Sequence, residues 1–331
     1  MTEFELIASL TEGAPRLAPE LKCGVGDDCA VIAGPAGRDW LVTADALVEG
    51  VHFRREWTDL RTLGRKSIAV NLSDIAAMGG TPRFYIVCIA IPDGVGPNGA
   101  MELYAGMRER ACQYGAALIG GDTSSSHSGL FISITVIGEV ESGRALQRSG
   151  ARAGDAIYVT GAFGGAAMGL ECLKASRRDA ASAHFVQRHL DPVPRLDAGE
   201  ALLRSGMVSG MIDASDGLYA DLSHIAEASG AGFEIEERLV PREPGFDALA
   251  RELKADPMSL LLGGGEEYEL IFTVKSASAR EFEDDVKPGL PIQVSRVGAI
   301  VADKGSRVVR AGDGTQLAVR NLGFDHFTHK G

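Results

Sequence analysis

Short apolar runs, separated by polar and glycine-rich stretches, predict a chain of alternating strands and helices. Thr2 and Glu5 have the spacing of a capping box, which predicts a first helix at the start. Residues 29–33 (CAVIA) and 40–44 (WLVTA) read as short buried strands, the second ending at Asp45. A helix is predicted over 59–78, with Thr58 able to cap it and Gly79-Gly80 ending it. On it Asn71 and Asp74, three apart, share one face. A strand follows over 83–91, then a helix over 99–114 between Asn98 and Gly115. ALIG at 117–120 reads as a strand running into Gly121-Asp122, and residues 130–138 alternate as another.

Residues 141–155 (ESGRALQRSGARAGD) are polar, glycine-rich and basic, which places a linker there between domains of 1–140 and 156–331. Beyond it, strands are predicted at 156–161, 208–213, 232–236, 269–275 and 292–300, with a helix at 217–229. Gly161-x-x-Gly164-Gly165 follows a strand but lacks the G-x-G start of a dinucleotide fingerprint, so it reads as a tight turn. No repeat of 20–50 residues is evident. Strands mixed with helices in both halves indicate α/β or α+β layers.

Charge narrows the partners. The formal net charge is −12, which argues against a broad nucleic-acid footprint but not against a nucleotide, because bound metal inverts the local field. No stretch approaches the ~20 apolar residues of a membrane span. The acidic start differs from a signal peptide, and five cysteines without a C-x-x-C pair fit a reducing compartment, so a cytoplasmic protein is expected. Glycine is the outlier: 42 of 331 residues, roughly 13% against an average near 7%. Many glycines stand beside acids, as in Gly26-Asp27-Asp28, Gly120-Gly121-Asp122, Asp216-Gly217 and Gly263-Gly264-Gly265-Glu266, which suggests one site assembled from several loops.

Five segments place aspartate at or near a predicted strand end or helix face: Asp27-Asp28, Asp45, Asn71 to Asp74, Asp122, and Asp213 to Asp216. Mg²⁺ takes hard oxygen ligands and usually one or two carboxylates plus phosphate oxygens, so many carboxylates beside a triphosphate imply several ions. Phosphoryl transfer depends on positioning and charge neutralisation and needs no protein nucleophile. Any one such aspartate can equally be a turn former or helix cap. Arg144, Arg148 and Arg152 in the linker can bind phosphate or lie on a solvated face. The P-loop, protein-kinase and hydrolase-elbow motifs are absent.

The stretches 24–28 (GVGDD), 43–53 (TADALVEGVHF), 69–79 (AVNLSDIAAMG), 120–123 (GGDT), 143–151 (GRALQRSGA), 212–218 (IDASDGL), 264–270 (GGEEYEL) and 323–327 (GFDHF) together resemble the thiamine-monophosphate kinase family over nearly the whole chain. The resemblance implies an α/β (α+β) two-domain fold shared with aminoimidazole ribonucleotide synthetase. In it the N-terminal domain binds ATP and magnesium and forms a homodimer, while the C-terminal domain completes the nucleotide and substrate site. It implies ATP-dependent phosphorylation of thiamine monophosphate to thiamine diphosphate, the last step of thiamine diphosphate biosynthesis. Carried over by position, Asp28, Thr43, Ala44, Asp45, Asp74, Asp122, Asp213 and Asp216 would hold Mg²⁺. Tyr104, Gly121, Asp122, Arg148 and Ser215 would contact ATP. His52 and Glu266 would touch thiamine monophosphate, and Phe324 would stack on its cationic ring. No general base is implied, because the attacking phosphate is already anionic near neutral pH. Two departures stand out: Ala44 where relatives often carry a hydroxyl, and Glu267 where Gly-Gly-Glu-Asp is usual. Rival readings are a relative with another acceptor (selenophosphate synthetase, aminoimidazole ribonucleotide synthetase or a hydrogenase-maturation protein), a silent nucleotide-binding scaffold, and a Mg²⁺-dependent phosphohydrolase.

Overall fold

A computed structural model of the chain describes residues 3–13, 18–318 and 323–324, the side chain of Phe4 excepted. The first helix, α1, spans Glu3–Thr11; Thr2 lies outside the described residues. A first sheet follows, built of β1 (Leu21–Cys23), β2 (Ala30–Ala33), β3 (Arg38–Val48), β4 (Thr81–Pro92), β5 (Ala117–Ser126) and β6 (Phe131–Glu141) in the order β1-β2-β3-β6-β4-β5. It is antiparallel except where β4 and β5 run side by side. Helices α2 (Leu60–Ala77) and α3 (Gly96–Gln113) lie between its strands in sequence.

The second sheet uses β7 (Ala156–Thr160), β8 (Val208–Asp213), β9 (Gly232–Glu236), β10 (Leu270–Val274), β11 (Val294–Val301) and β12 (Arg307–Arg310), in the order β12-β9-β11-β7-β10-β8. Its helices are α4 (Gly165–Lys174), α5 (Ala183–Leu190), α6 (Leu196–Ser205), α7 (Leu218–Ser229), α8 (Phe246–Leu253) and α9 (Pro257–Gly263). The segment predicted as a linker carries neither strand nor helix between Glu141 and Ala156.

The period of two is plain in β3, β4 and β6. In β6, Ile132, Ile134, Val136 and Val140 are buried while Phe131, Ser133, Thr135 and Ile137 are more open. One face of the sheet is thus covered and the other is not. β5, at the edge, is exposed along nearly its whole length.

The covering helix is α2, which also touches β8, α5 and α6 of the second domain. Its buried positions, from Leu63 to Ala77, go nearly all the way round, as expected of a helix enclosed by neighbours rather than lying at a surface. Small residues let backbones meet. A Cβ on Gly64 would lie 2.0 Å from the Leu103 carbonyl oxygen, and one on Gly106 of α3 would lie 1.8 Å from that of Arg61.

The structure moves several expected boundaries. The N-cap of α2 is Asp59, whose carboxylate accepts the Thr62 N–H at 2.8 Å, and not Thr58. Helix α3 starts at Gly96 with Pro97 in its first turn, ahead of Asn98, since proline needs no N–H there. β3 runs past Asp45 to Val48, and β5 runs through Gly121-Asp122 to Ser126. Both aspartates lie within strands, because ladder pairing with β6 and β4 outweighs the turn propensity of Asp and Gly.

Replacing Gly106 with Ala should destabilise the protein by about 1–3 kcal/mol through overpacking of α2 against α3. Calorimetry should read a thermal midpoint lower by several degrees; an unchanged midpoint would mean the two helices separate freely.

Candidate active site

Asp74 comes from α2, Asp213 from the end of β8, and Asp28 from the turn before β2. One carboxylate oxygen from each lies within 4.8 Å of the others. Asp45 projects from β3 close by, its backbone N–H held at 3.1 Å by the Asn71 side-chain oxygen. The shared face of Asn71 and Asp74 is therefore used: one residue fixes β3 while the other faces the acids.

Neighbouring polar groups hold these acids. Thr43 donates its hydroxyl to Asp74, and Ser73 donates to Asp213 at 2.6 Å. Arg148 reaches Asp28 Oδ1 with two nitrogens, at 3.0 and 2.6 Å. Of the three linker arginines it alone enters the cluster; Arg144 and Arg152 are exposed. Asp28 Oδ2 is buried with no hydrogen-bond partner.

Burial and mutual repulsion raise the carboxyls. Asp213 is pushed up to about 8, by burial first and then by Asp28. Asp45 rises to about 6 from burial and Asp28. Asp74 goes well above the ordinary range from burial, Asp45 and Asp213. Asp27 rises to about 6 from burial and Asp28.

A cavity of about 440 Å³ opens onto the cluster. Asp45, Asp74, Asp213, Ser215 and Asp216 line it, and so do His52, Trp57, Glu266 and Phe324. Glu266 belongs to a loop whose backbone sits on the Asp213–Gly217 turn: its N–H bonds the Ser215 carbonyl at 2.7 Å, and a Cβ on Gly265 would lie 2.5 Å from that oxygen. Glycine is obligatory there for close approach. Phe324 is tied to the same turn by its N–H to the Asp216 carbonyl at 3.1 Å. His52 accepts the Val48 N–H at Nδ1, at 3.0 Å.

Glu267 points the other way. It is 2% exposed, accepts the Ala166 N–H at 2.9 Å at the start of α4, and meets Arg188 at 3.1 Å. Burial raises its carboxyl to about 7 against the pull of Arg188. Glu266, not Glu267, faces the cavity. Behind the loop, Glu269 is clamped by Arg195, Arg188 and Thr160. Asp221 accepts the N–H groups of Asp216 and Gly217 at 3.1 and 2.9 Å, which shapes the turn.

Three expected residues stand apart. Asp122 is exposed on β5, in register with Cys88, Ser133 and Ala46 across the sheet. That places it three strand spacings, roughly 14 Å, from β3. Gly121 is beside it, where a Cβ would lie 2.0 Å from the Val87 carbonyl oxygen. Tyr104 is on α3, outside the cavity lining. Ala44 lies between Thr43 and Asp45 with its methyl on the exposed face of β3. Sequence reasoning missed Ser73, Lys66 and His189. Ser73 sits inside the Asn71–Asp74 stretch and was within reach; the other two carry no local signal.

Residues 26–140 match the family model for the AIR synthase related protein, N-terminal domain, and residues 152–310 match that for the C-terminal domain. Fold and site thus define a two-domain protein of the AIR-synthase-related class. The chain is 35% identical to the thiamine-monophosphate kinase of Bacillus subtilis (strain 168), covering 99% of this chain and 100% of the relative. It is 37% identical to that of Escherichia coli (strain K12), covering 98% of each. Among solved structures, AaThiL complexed with AMPPCP and TMP superposes with a TM-score of 0.84 at 29% identity, covering 98% of this chain and 97% of that one. This chain belongs to the thiamine-monophosphate kinase family.

The raised carboxyls give the folded state a higher proton affinity than the unfolded chain. Their contribution to stability is complete below the ordinary value of 3.8 and is lost as pH rises through about 6 for Asp27 and Asp45 and about 8 for Asp213. His189 and His224, driven down to about 4 by burial, oppose this trend below about pH 6.5, so metal-free protein should lose thermal stability from about pH 6.5 to about pH 8, and Asp213→Asn should flatten that fall. Calorimetry in chelator-treated buffer checks this, and an unchanged slope in the variant would show that Asp213 ionises freely.

Proposed function

We propose that the chain transfers the γ-phosphoryl group of ATP to thiamine monophosphate, releasing ADP and thiamine diphosphate. The observation that carries the reading is one cavity lined both by the acidic cluster and by His52, Glu266 and Phe324. Kinship with thiamine-monophosphate kinases, and with a structure holding AMPPCP and TMP, supports the same donor and acceptor.

The acidic residues fit Mg²⁺. The donors are hard oxygens, three converge within 4.8 Å, and Asp28 Oδ2 is buried without a partner. Asp28, Asp45, Asp74, Asp213 and Asp216, assisted by Thr43 and the Ala44 backbone, would hold the ions. When bound, Mg²⁺ offsets the repulsion between these carboxylates and the triphosphate. Arg148 already grips Asp28 and so orients it beside the nucleotide; Ser215 lines the same end.

An oxygen of the acceptor phosphate bonds to the γ-phosphorus as the bond to the β–γ bridging oxygen breaks, and ADP leaves with that electron pair. The acceptor phosphate, with a second pKa near 6, is anionic near neutral pH and needs no base. Phe324 supplies an aromatic face for the thiazolium cation. His52 and Glu266 hold the rest of the acceptor in place.

The working unit in this reading is a homodimer. β5 is an open edge, and Leu118, Ile119 and Phe131 leave apolar surface exposed on the same sheet. Pairing there carries Gly121 and Asp122 to the partner's cavity, which their own chain does not let them reach. The chain divides at 141–155 into domains of 1–140 and 156–331. Among the described residues no helix is long and apolar enough to cross a membrane, and Cys29, Cys88, Cys112 and Cys172 are free thiols. The free thiols support a cytoplasmic site of action.

An ADP-release assay with ATP, Mg²⁺ and thiamine monophosphate, with product identified by chromatography, tests the reaction. ADP formation indifferent to thiamine monophosphate would move the acceptor elsewhere. Asp45→Asn and Asp122→Asn should each lower turnover by several orders of magnitude with the fold intact. Mixing the two inactive chains should restore turnover, because one site of the mixed dimer then carries neither substitution; no recovery would place Asp122 outside the partner's site. Phe324→Ala should raise KM for thiamine monophosphate far more than KM for ATP, and equal rises would remove the stacking role.

A further inference from the structure

Lys66 lies on α2, 2% exposed, in a helix whose other buried positions are mostly small or apolar. Its Nζ is 2.8 Å from Glu266 Oε1 and donates to the His189 carbonyl at 3.0 Å. The second Glu266 oxygen lies 3.0 Å from His189 Nδ1. Lys66 belongs to the first domain, whereas Glu266 and His189 belong to the second. The trio therefore bridges the two, and both Glu266 and His189 line the cavity.

An ammonium so deeply buried is costly, and an apolar side chain of similar volume would pack α2 at least as well. Its partner is also unusual. Glu266 is a non-glycine residue at φ +64, a backbone conformation kept only where the surroundings over-determine it. Burial works against its charge, yet Lys66 and His189 hold its carboxyl below the ordinary range. His189 is itself driven down to about 4 by burial and Lys66. It is therefore neutral near pH 7, with Nδ1 3.0 Å from Glu266 Oε2. Each carboxylate oxygen has one nitrogen within 3.0 Å and keeps lone-pair capacity for the cavity.

We propose that Lys66 is a positioning residue for the acceptor: through Glu266, and with His189, it fixes the carboxylate that holds thiamine monophosphate in the cavity. This rests on the proposed reaction. Lys66 touches neither the acidic cluster nor the nucleotide end, so its effect falls on one substrate only.

The test is steady-state kinetics of the full-length protein. Lys66→Met should raise KM for thiamine monophosphate about tenfold or more while KM for ATP stays within about twofold. Lys66→Arg should recover part of the loss. In a Glu266→Gln background, Lys66→Met should add nothing further, because the group it acts through is gone. Equal rises in both KM values, a fall in kcat alone, or additive losses in the double variant would overturn the proposal. If Lys66→Met does not fold, His189→Ala, which removes the ring nitrogen beside Oε2 and leaves the carbonyl that Lys66 meets, carries the same test with the same selective rise expected. In the unsubstituted protein, turnover indifferent to thiamine monophosphate sinks the reaction and this proposal together. Acceptor-dependent turnover with Lys66→Met unaffected sinks this proposal alone.

Discussion

Carboxylates from distant parts of the chain are held against one another where the two domains meet. At 4 Å, two like charges repel by about 4 kcal/mol at an effective dielectric near 20, and Asp28, Asp74 and Asp213 are packed to about that spacing. Nothing local to any one of them favours this. The surrounding fold keeps them there: α2 wedged between two sheets, Arg148 on Asp28, Ser73 on Asp213 and Thr43 on Asp74. Protonation relieves part of the repulsion in the bare protein, and cations would relieve it at work.

The rest of the site is arranged around that strain. The loop ending at Glu266 rides on the Asp213–Gly217 turn through glycine contacts, so the acceptor end is indexed to the acidic end by backbone rather than by long side chains. Behind it, Glu267 and Glu269 are fully employed on Arg188, Arg195 and the start of α4. Three consecutive-looking acidic positions thus do different jobs, with only Glu266 turned to the cavity. Glu267 reaches the start of α4 and leaves the cavity contact to its neighbour.

Much of this was legible in the chain. The Asn71–Asp74 spacing predicted a shared helix face, and α2 presents one. The Gly–acid junctions predicted loops converging on one place; Asp28, Asp213, Ser215 and Glu266 do converge, whereas Gly120-Gly121-Asp122 lies inside β5 and stays apart within the chain. What was not legible depends on partners far away in sequence. Asp45 and Asp122 read as strand ends because Asp and Gly favour turns, yet each is carried inside a strand by its ladder partners. Lys66 has no motif at all; its meaning comes from Glu266, 200 residues later, and from a domain junction that periodicity does not reveal. The seven-residue step from Asp45 to His52 gave no hint that the histidine ring would cap the end of its own strand.

The bare edge of β5 bears on the life of a newly made molecule. A single chain can bury its carboxylates, close both cores and seat the Glu266 loop without using that strand for anything but its bond to β4. In the proposed homodimer, becoming compact and finding a neighbour would then be distinct events. Until then the ten-residue strand shows solvent the backbone groups that face away from β4. Its charged side chain is one aspartate, and its serines and threonine are polar, so the segment stays wettable while it waits.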